Sequence, residues 1–120
     1  MNGNPYKISN KVFELVTLTT SNFTYRAYSN GTGTPLKLEV TLTSTSGNIY
    51  CIESASYRVD YYDSSSGGSY STSTNGTVST NSLTRTRTHT WDIVSGNSGH
   101  NYSSISIISI TISGYMFNVL

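Results

Sequence analysis

LKLEVTLTS, residues 36–44, decides the fold. Leu36, Leu38, Val40 and Leu42 fall on one side of an extended chain, and Lys37, Glu39, Thr41 and Thr43 fall on the other. A period of two with this contrast describes a strand with one face in a core and the other in water. ASYRVDYY (55–62) repeats it, with Ala55, Tyr57, Val59 and Tyr61 inward and Arg58 and Asp60 outward. KVFELVTL (11–18) and FTYRAY (23–28) are further strands, less cleanly one-sided. Turn chemistry punctuates the chain at Asn30-Gly31, Gly47-Asn48, Gly67-Gly68, Asn75-Gly76 and residues 95–99.

The late segment YSSISIISITISGY (102–115) changes phase: Ile105 and Ile107 share one face, Ile108, Ile110 and Ile112 the other. Either both faces are buried, or a β-bulge at Ile107–Ile108 returns the apolar side to the core. The bulge is the better reading, because Ser104, Ser106, Ser109, Thr111 and Ser113 then complete a polar face. The apolar tail MFNVL (116–120) is expected to be packed. The Ser/Gly/Thr-rich run from Asp63 to Thr80 reads as a long loop or a weakly specified edge hairpin.

Composition agrees with an all-β domain. The 120 residues include 22 Ser, 18 Thr and ten Tyr, while Ala27 and Ala55 are the only representatives of the best helix former. The tyrosines, isoleucines and valines argue against disorder. The expected architecture is a single antiparallel β-sandwich over residues 1–120, immunoglobulin-like or jelly-roll, with roughly seven to nine strands. Charged residues make up 11 % of the chain, against about 25 % in an ordinary soluble domain, and the net charge is +1. Such a balance gives no field for nucleic acid or acidic lipid. No apolar run is long enough for a membrane-spanning helix, and no secretory signal is apparent. Cys51 stands alone and reads as a small buried hydrophobe.

The puzzling stretch is TRTRTHTW (84–91), whose threonines alternate with Arg85, Arg87, His89 and Trp91. Leu83 and Ile93 lie in phase with the cationic row. Burying that row would require carboxylate partners for two guanidiniums, and the whole chain has six acids. The expected arrangement turns the threonines inward and leaves Arg85, Arg87 and His89 accessible near a sheet edge, with Trp91 dipping inward where the strand twists. Arg, His and Trp on a rigid sheet, joined by Tyr61, Tyr62 and Tyr70, could bind a sugar ring by stacking or an anion by forked hydrogen bonds. Ordinary cross-strand packing explains the same residues.

Catalytic signals are weak. His89 and Asp92 point to opposite faces, and His100 has serines but no acid near it in sequence. Nucleophile-elbow and metal-ligand spacings are missing, and Asp60, Asp63 and Ser64 read as a solvated turn rather than a calcium site. No cofactor is expected. Four Asn-x-Ser/Thr sequons, at Asn22, Asn30, Asn75 and Asn101, match about what composition alone generates. The YRVDYYDSSSGG strand-and-turn and the isoleucine strand resemble immunoglobulin-like modules of microbial surface proteins. That resemblance is architectural and transfers no functional residue. The expected function is a non-enzymatic surface module, extracellular or on a cell or virion, acting in adhesion or assembly. Its partner would be a protein or a second copy, met through a strand edge or sheet face. The alternative is a carbohydrate-binding module using the aromatic and cationic face.

Overall fold

The computed structural model describes residues 11–43, 49–80 and 86–119. They form seven strands: β1 (Lys11–Thr17), β2 (Phe23–Ser29), β3 (Leu36–Leu42), β4 (Ile49–Ser65), β5 (Gly68–Ser79), β6 (Thr88–Val94) and β7 (Asn101–Val119). Two antiparallel sheets result, a larger one ordered β1-β7-β4-β5 and a smaller one ordered β2-β3-β6. They pack face to face in a β-sandwich-like arrangement. No helix of the described residues is long and apolar enough to cross a membrane.

Alternation on β3 is complete: Leu36, Leu38, Val40 and Leu42 are buried and the residues between them half-buried. Leu38, Val40 and Leu42, with Phe23 of β2, meet Ile52, Ala55 and Ile112 of the larger sheet. Leu36 joins Val59 and Tyr102 in a second cluster. Tyr57, Tyr61 and Ile110 are partly buried against these clusters, on the expected side. Cys51 is fully buried, and burial pushes its thiol pKa up.

The phase change in β7 is a bulge, as its serines imply. Arg58 pairs with Ser109 and Val59 with Ile107, so Ile108 is the supernumerary residue and sits half-exposed. A second irregularity follows between Asp60, paired with Ser106, and Tyr62, paired with Ser103. Ser104, within it, has φ of 49°, in the left-handed region that few non-glycine residues occupy. The apolar tail pairs with β1, from Glu14 opposite Met116 to Lys11 opposite Val119, and Met116 packs against the core.

Of the two readings of the polar run, the edge hairpin is the one formed, though in a defined register, and the expected turn at Asn75-Gly76 needs correction. Residues 63–80 form an ordered hairpin, with β5 in continuous register on β4 from Ser54↔Ser79 to Ser65↔Gly68. Ser66 and Gly67 make its turn, one residue earlier than the Gly67-Gly68 expected, and Gly68, which opens β5 at φ of 144°, takes a conformation suited to glycine. Asn75-Gly76 is no turn; Gly76 lies within β5 opposite Tyr57. A Cβ there would meet the Tyr57 hydroxyl at 3.3 Å, so the missing side chain leaves space for the ring. The Gly47-Asn48 turn lies outside the described residues.

The molecule is long. β4 and β7, of 17 and 19 residues, reach about 60 Å at about 3.4 Å per residue. The overall extents are 74 × 22 × 21 Å, and the radius of gyration is 18.6 Å against about 14 Å for a compact domain of this length. The seven-residue strands of the smaller sheet cover only part of that length.

Candidate functional site

The structure divides the expected stripe between distant places. On β6, Thr88 and Thr90 are exposed, while His89, Trp91 and Ile93 are half-buried, with Trp91 and Ile93 packed on the core. The expectation that the threonines face inward and His89 outward is therefore overturned. The strand's orientation follows Trp91 and Ile93, whose burial outweighs that of two threonine methyls. Arg87 lies just before β6 and does not need burial with them. It is exposed, as expected, and its Nε donates to the Leu42 carbonyl at 2.9 Å. Arg85, with Leu83 and Thr84, lies outside the described residues.

His89 stacks on Trp91 with ring centroids 5.7 Å apart and planes inclined by 16°. Its Nε2 is buried without a hydrogen-bond partner, and burial lowers the imidazole pKa. Trp91 donates its indole N–H to the Ser79 carbonyl at 3.3 Å, fastening β6 to the end of β5. This pair is inward-facing packing between the two sheets.

The tyrosines gather elsewhere, toward the β4–β5 turn. Tyr61 faces inward and meets Tyr102 edge to face, with centroids 5.4 Å apart; burial pushes the pKa of both up. Tyr70, 54 % exposed, donates its hydroxyl to Asp63 Oδ2 at 3.0 Å, and that bond raises its pKa. Asp63 is only 6 % exposed and also bonds His100 Nδ1 at 2.8 Å through Oδ1.

The absence of an acid near His100 was thus true only along the chain. Strand pairing brings Asp63 between Tyr70 of β5 and Tyr102 of β7, and His100 immediately precedes β7. The His100 carbonyl accepts from Gly33 N–H at 2.7 Å, and Tyr102 donates to the Ser95 carbonyl at 2.9 Å. One buried carboxylate therefore ties the β4–β5 hairpin to the loop between β6 and β7, and through that loop to the β2–β3 turn. Asp60 and Asp63 point to opposite faces of β4, so they do not converge on a cation. Among the described residues no three His, Cys, Asp or Glu side chains gather as metal ligands.

On the opposite, outer face of the larger sheet lies an open basin of about 600 Å³. Arg58, Asp60 and Tyr62 of β4 form its floor, Ser71 and Ser73 of β5 one wall, and Ser104 of β7 the other. Arg58 Nε and Asp60 Oδ1 are 3.5 Å apart, and Tyr62 is 37 % exposed. The outward alternation of Arg58 and Asp60 was readable in the sequence. The walls were not, because β5 lacks apolar contrast and the kink at Ser104 depends on strand pairing. Of the stripe residues among those described, Tyr62 presents its ring to the basin, Tyr61 borders it only from beneath with its ring turned inward, Tyr70 sits on the Asp63 side, and His89 and Trp91 belong to the inter-sheet packing. No protein-family model, curated protein or solved structure matches this chain.

Proposed function

We propose that this chain is a non-enzymatic, immunoglobulin-like module of an extracellular, cell or virion surface that works by assembly, pairing its β5 edge with the same edge of a second copy. The observation that carries the reading is the character of that edge. β5 is 12 residues long, is the outermost strand of its sheet, and has a register on β4 free of bulges. From Ser64 to Thr84 the sequence contains neither a charged residue nor a proline. Natural edge strands carry such residues, or bulges, to prevent pairing. The uncovered part of β7, beyond the reach of β1, has two bulges and the strained Ser104. The opposite edge, formed by β1 with its Lys11 and Glu14 and then by this bulged part of β7, is guarded, and the β5 edge is open.

Backbone geometry supplies the donors. Thr80 N–H bonds the Glu53 carbonyl of β4, whereas the Ser79 carbonyl faces away and is taken by Trp91. Strand alternation then directs the N–H and C=O of Ser71, Ser73, Asn75 and Thr77 outward. An uncharged edge also meets its own copy without like-charge repulsion, and two such strands antiparallel would join the larger sheets into one.

Asn75→Pro tests the idea, since it removes one outward donor and leaves the β4 ladder intact. Sedimentation equilibrium over a range of concentrations should show the parent chain associating and the variant monomeric, with equal melting temperatures at dilutions where both are monomeric. A parent that stays monomeric, or a variant that associates equally well, refutes the proposal.

A further inference from the structure

We infer that the outer-face basin is a binding site for a neutral saccharide, a role independent of the β5 edge and of any assembly through it. Its volume, about 600 Å³, lies within the range of about 300–1,000 Å³ typical of small-molecule sites. The chemistry of its surface selects the ligand. Tyr62 offers a half-exposed ring beside hydrogen-bonding groups, the combination that a pyranose needs for its apolar C–H face and its hydroxyls. Asp60 accepts hydrogen bonds, Arg58 donates them, and the hydroxyls of Ser71, Ser73 and Ser104 do both.

Other ligand classes fit less well. An anion would have to compete with Asp60 for the Arg58 guanidinium, 3.5 Å away. A metal ion would find one carboxylate. A vicinal diol can bridge the two groups without disturbing their charge balance.

The floor is also built to hold its shape. Asp60 lies between Ser73 of β5 and Ser106 of β7, and Tyr62 between Ser71 and Ser103, so the basin's residues stand on three hydrogen-bonded strands. The register irregularity between Asp60 and Tyr62 places Ser104 at the wall in a left-handed conformation. Directly beneath, Tyr61 is wedged against Tyr102 on the inner face. A site on paired strands loses little freedom when it binds.

Titration of the isotopically labelled full chain with lactose, maltose, cellobiose and chitobiose, followed by amide chemical shifts, tests the inference. Sialyllactose serves as the anionic arm. At least one neutral sugar should give saturable shifts centred on Tyr62, Ser73 and Ser104. Asp60→Asn and Tyr62→Ala should each weaken that binding about tenfold or more with an unchanged melting temperature, while Thr90→Ala on the other sheet should bind as the parent does. The inference is overturned if none of the four neutral sugars saturates the basin. Binding of sialyllactose alone, or neutral-sugar binding indifferent to both folded basin variants, overturns it equally.

Discussion

Replacing Asp63 with alanine should loosen one end of the molecule before it melts the rest. The carboxylate is 6 % exposed and accepts from Tyr70 at 3.0 Å while bonding His100 at 2.8 Å. Hydrogen bonds to a charged group contribute about 1.5–3 kcal/mol each. Tyr70 is half-exposed and His100 has about a quarter of its side chain in water, so both recover solvent partners once the acid is gone. The larger figure therefore does not apply twice, and a total loss of about 2–3 kcal/mol is expected. For a chain of this length that corresponds to a fall in melting temperature of about 8–12 °C. Local opening should precede it: the Gly33 amide, bonded to the His100 carbonyl, should exchange with solvent deuterium faster in Asp63→Ala than in the parent, while the Val40 amide in the core should slow or speed only with global stability. Tyr70→Phe, which removes one bond, should lose about 1 kcal/mol. An Asp63→Ala chain that melts within a degree or two of the parent and keeps Gly33 equally protected would refute the assignment of this carboxylate as the tie between hairpin and loop.

Two further outcomes are expected. Burial lowers the His89 pKa, so the unfolded chain takes up a proton more readily than the folded one; stability should rise with pH and be lost as pH falls below about 6.5, and His89→Phe should flatten that slope in thermal melts at a series of pH values. An identical slope in parent and variant would exclude His89 as the source. Deleting residues 116–120 removes the partners of Lys11 to Glu14 on β1 and the packing of Met116, so the truncated chain should melt well below the parent by circular dichroism; an unchanged melt would show the pairing to be idle.

The elements that could be read from the chain are those in which burial writes a contrast into it. β3 separates leucine and valine from lysine, glutamate and threonine residue by residue, and its burial follows the same alternation. The bulge at Ile108 was legible for the same reason, since a two-residue period that breaks and resumes has few backbone explanations. β5 wrote no such contrast. Its inward positions include Thr72 and Thr74, its outward positions Ser71 and Ser73, and an edge strand can use the same hydroxyl residues on both faces. The face of β6 is not legible from the stripe because the cost of burying guanidiniums does not fall on the strand itself. Arg87 stands just before the strand, where it reaches a carbonyl at the surface, and Trp91 was free to set the face. The Asp63–His100 pair joins residues 37 positions apart across a ladder whose register shifts repeatedly. Spacing along the chain carries no trace of such a pair.

The antiparallel pairing of Lys11 with Val119 has a mechanical consequence. β1 enters and β7 leaves the larger sheet at one end, while the β4–β5 turn at residues 66–67 lies at the other. Tension applied between Lys11 and Val119 acts across the β1–β7 ladder and opens it like a zip, one pair after another, each resisting with about 1 kcal/mol. Tension applied between that turn and Val119 runs along β4 and β7 instead. It loads their shared hydrogen bonds in shear, many at once, so the same fold yields easily to one direction of pull and resists the other.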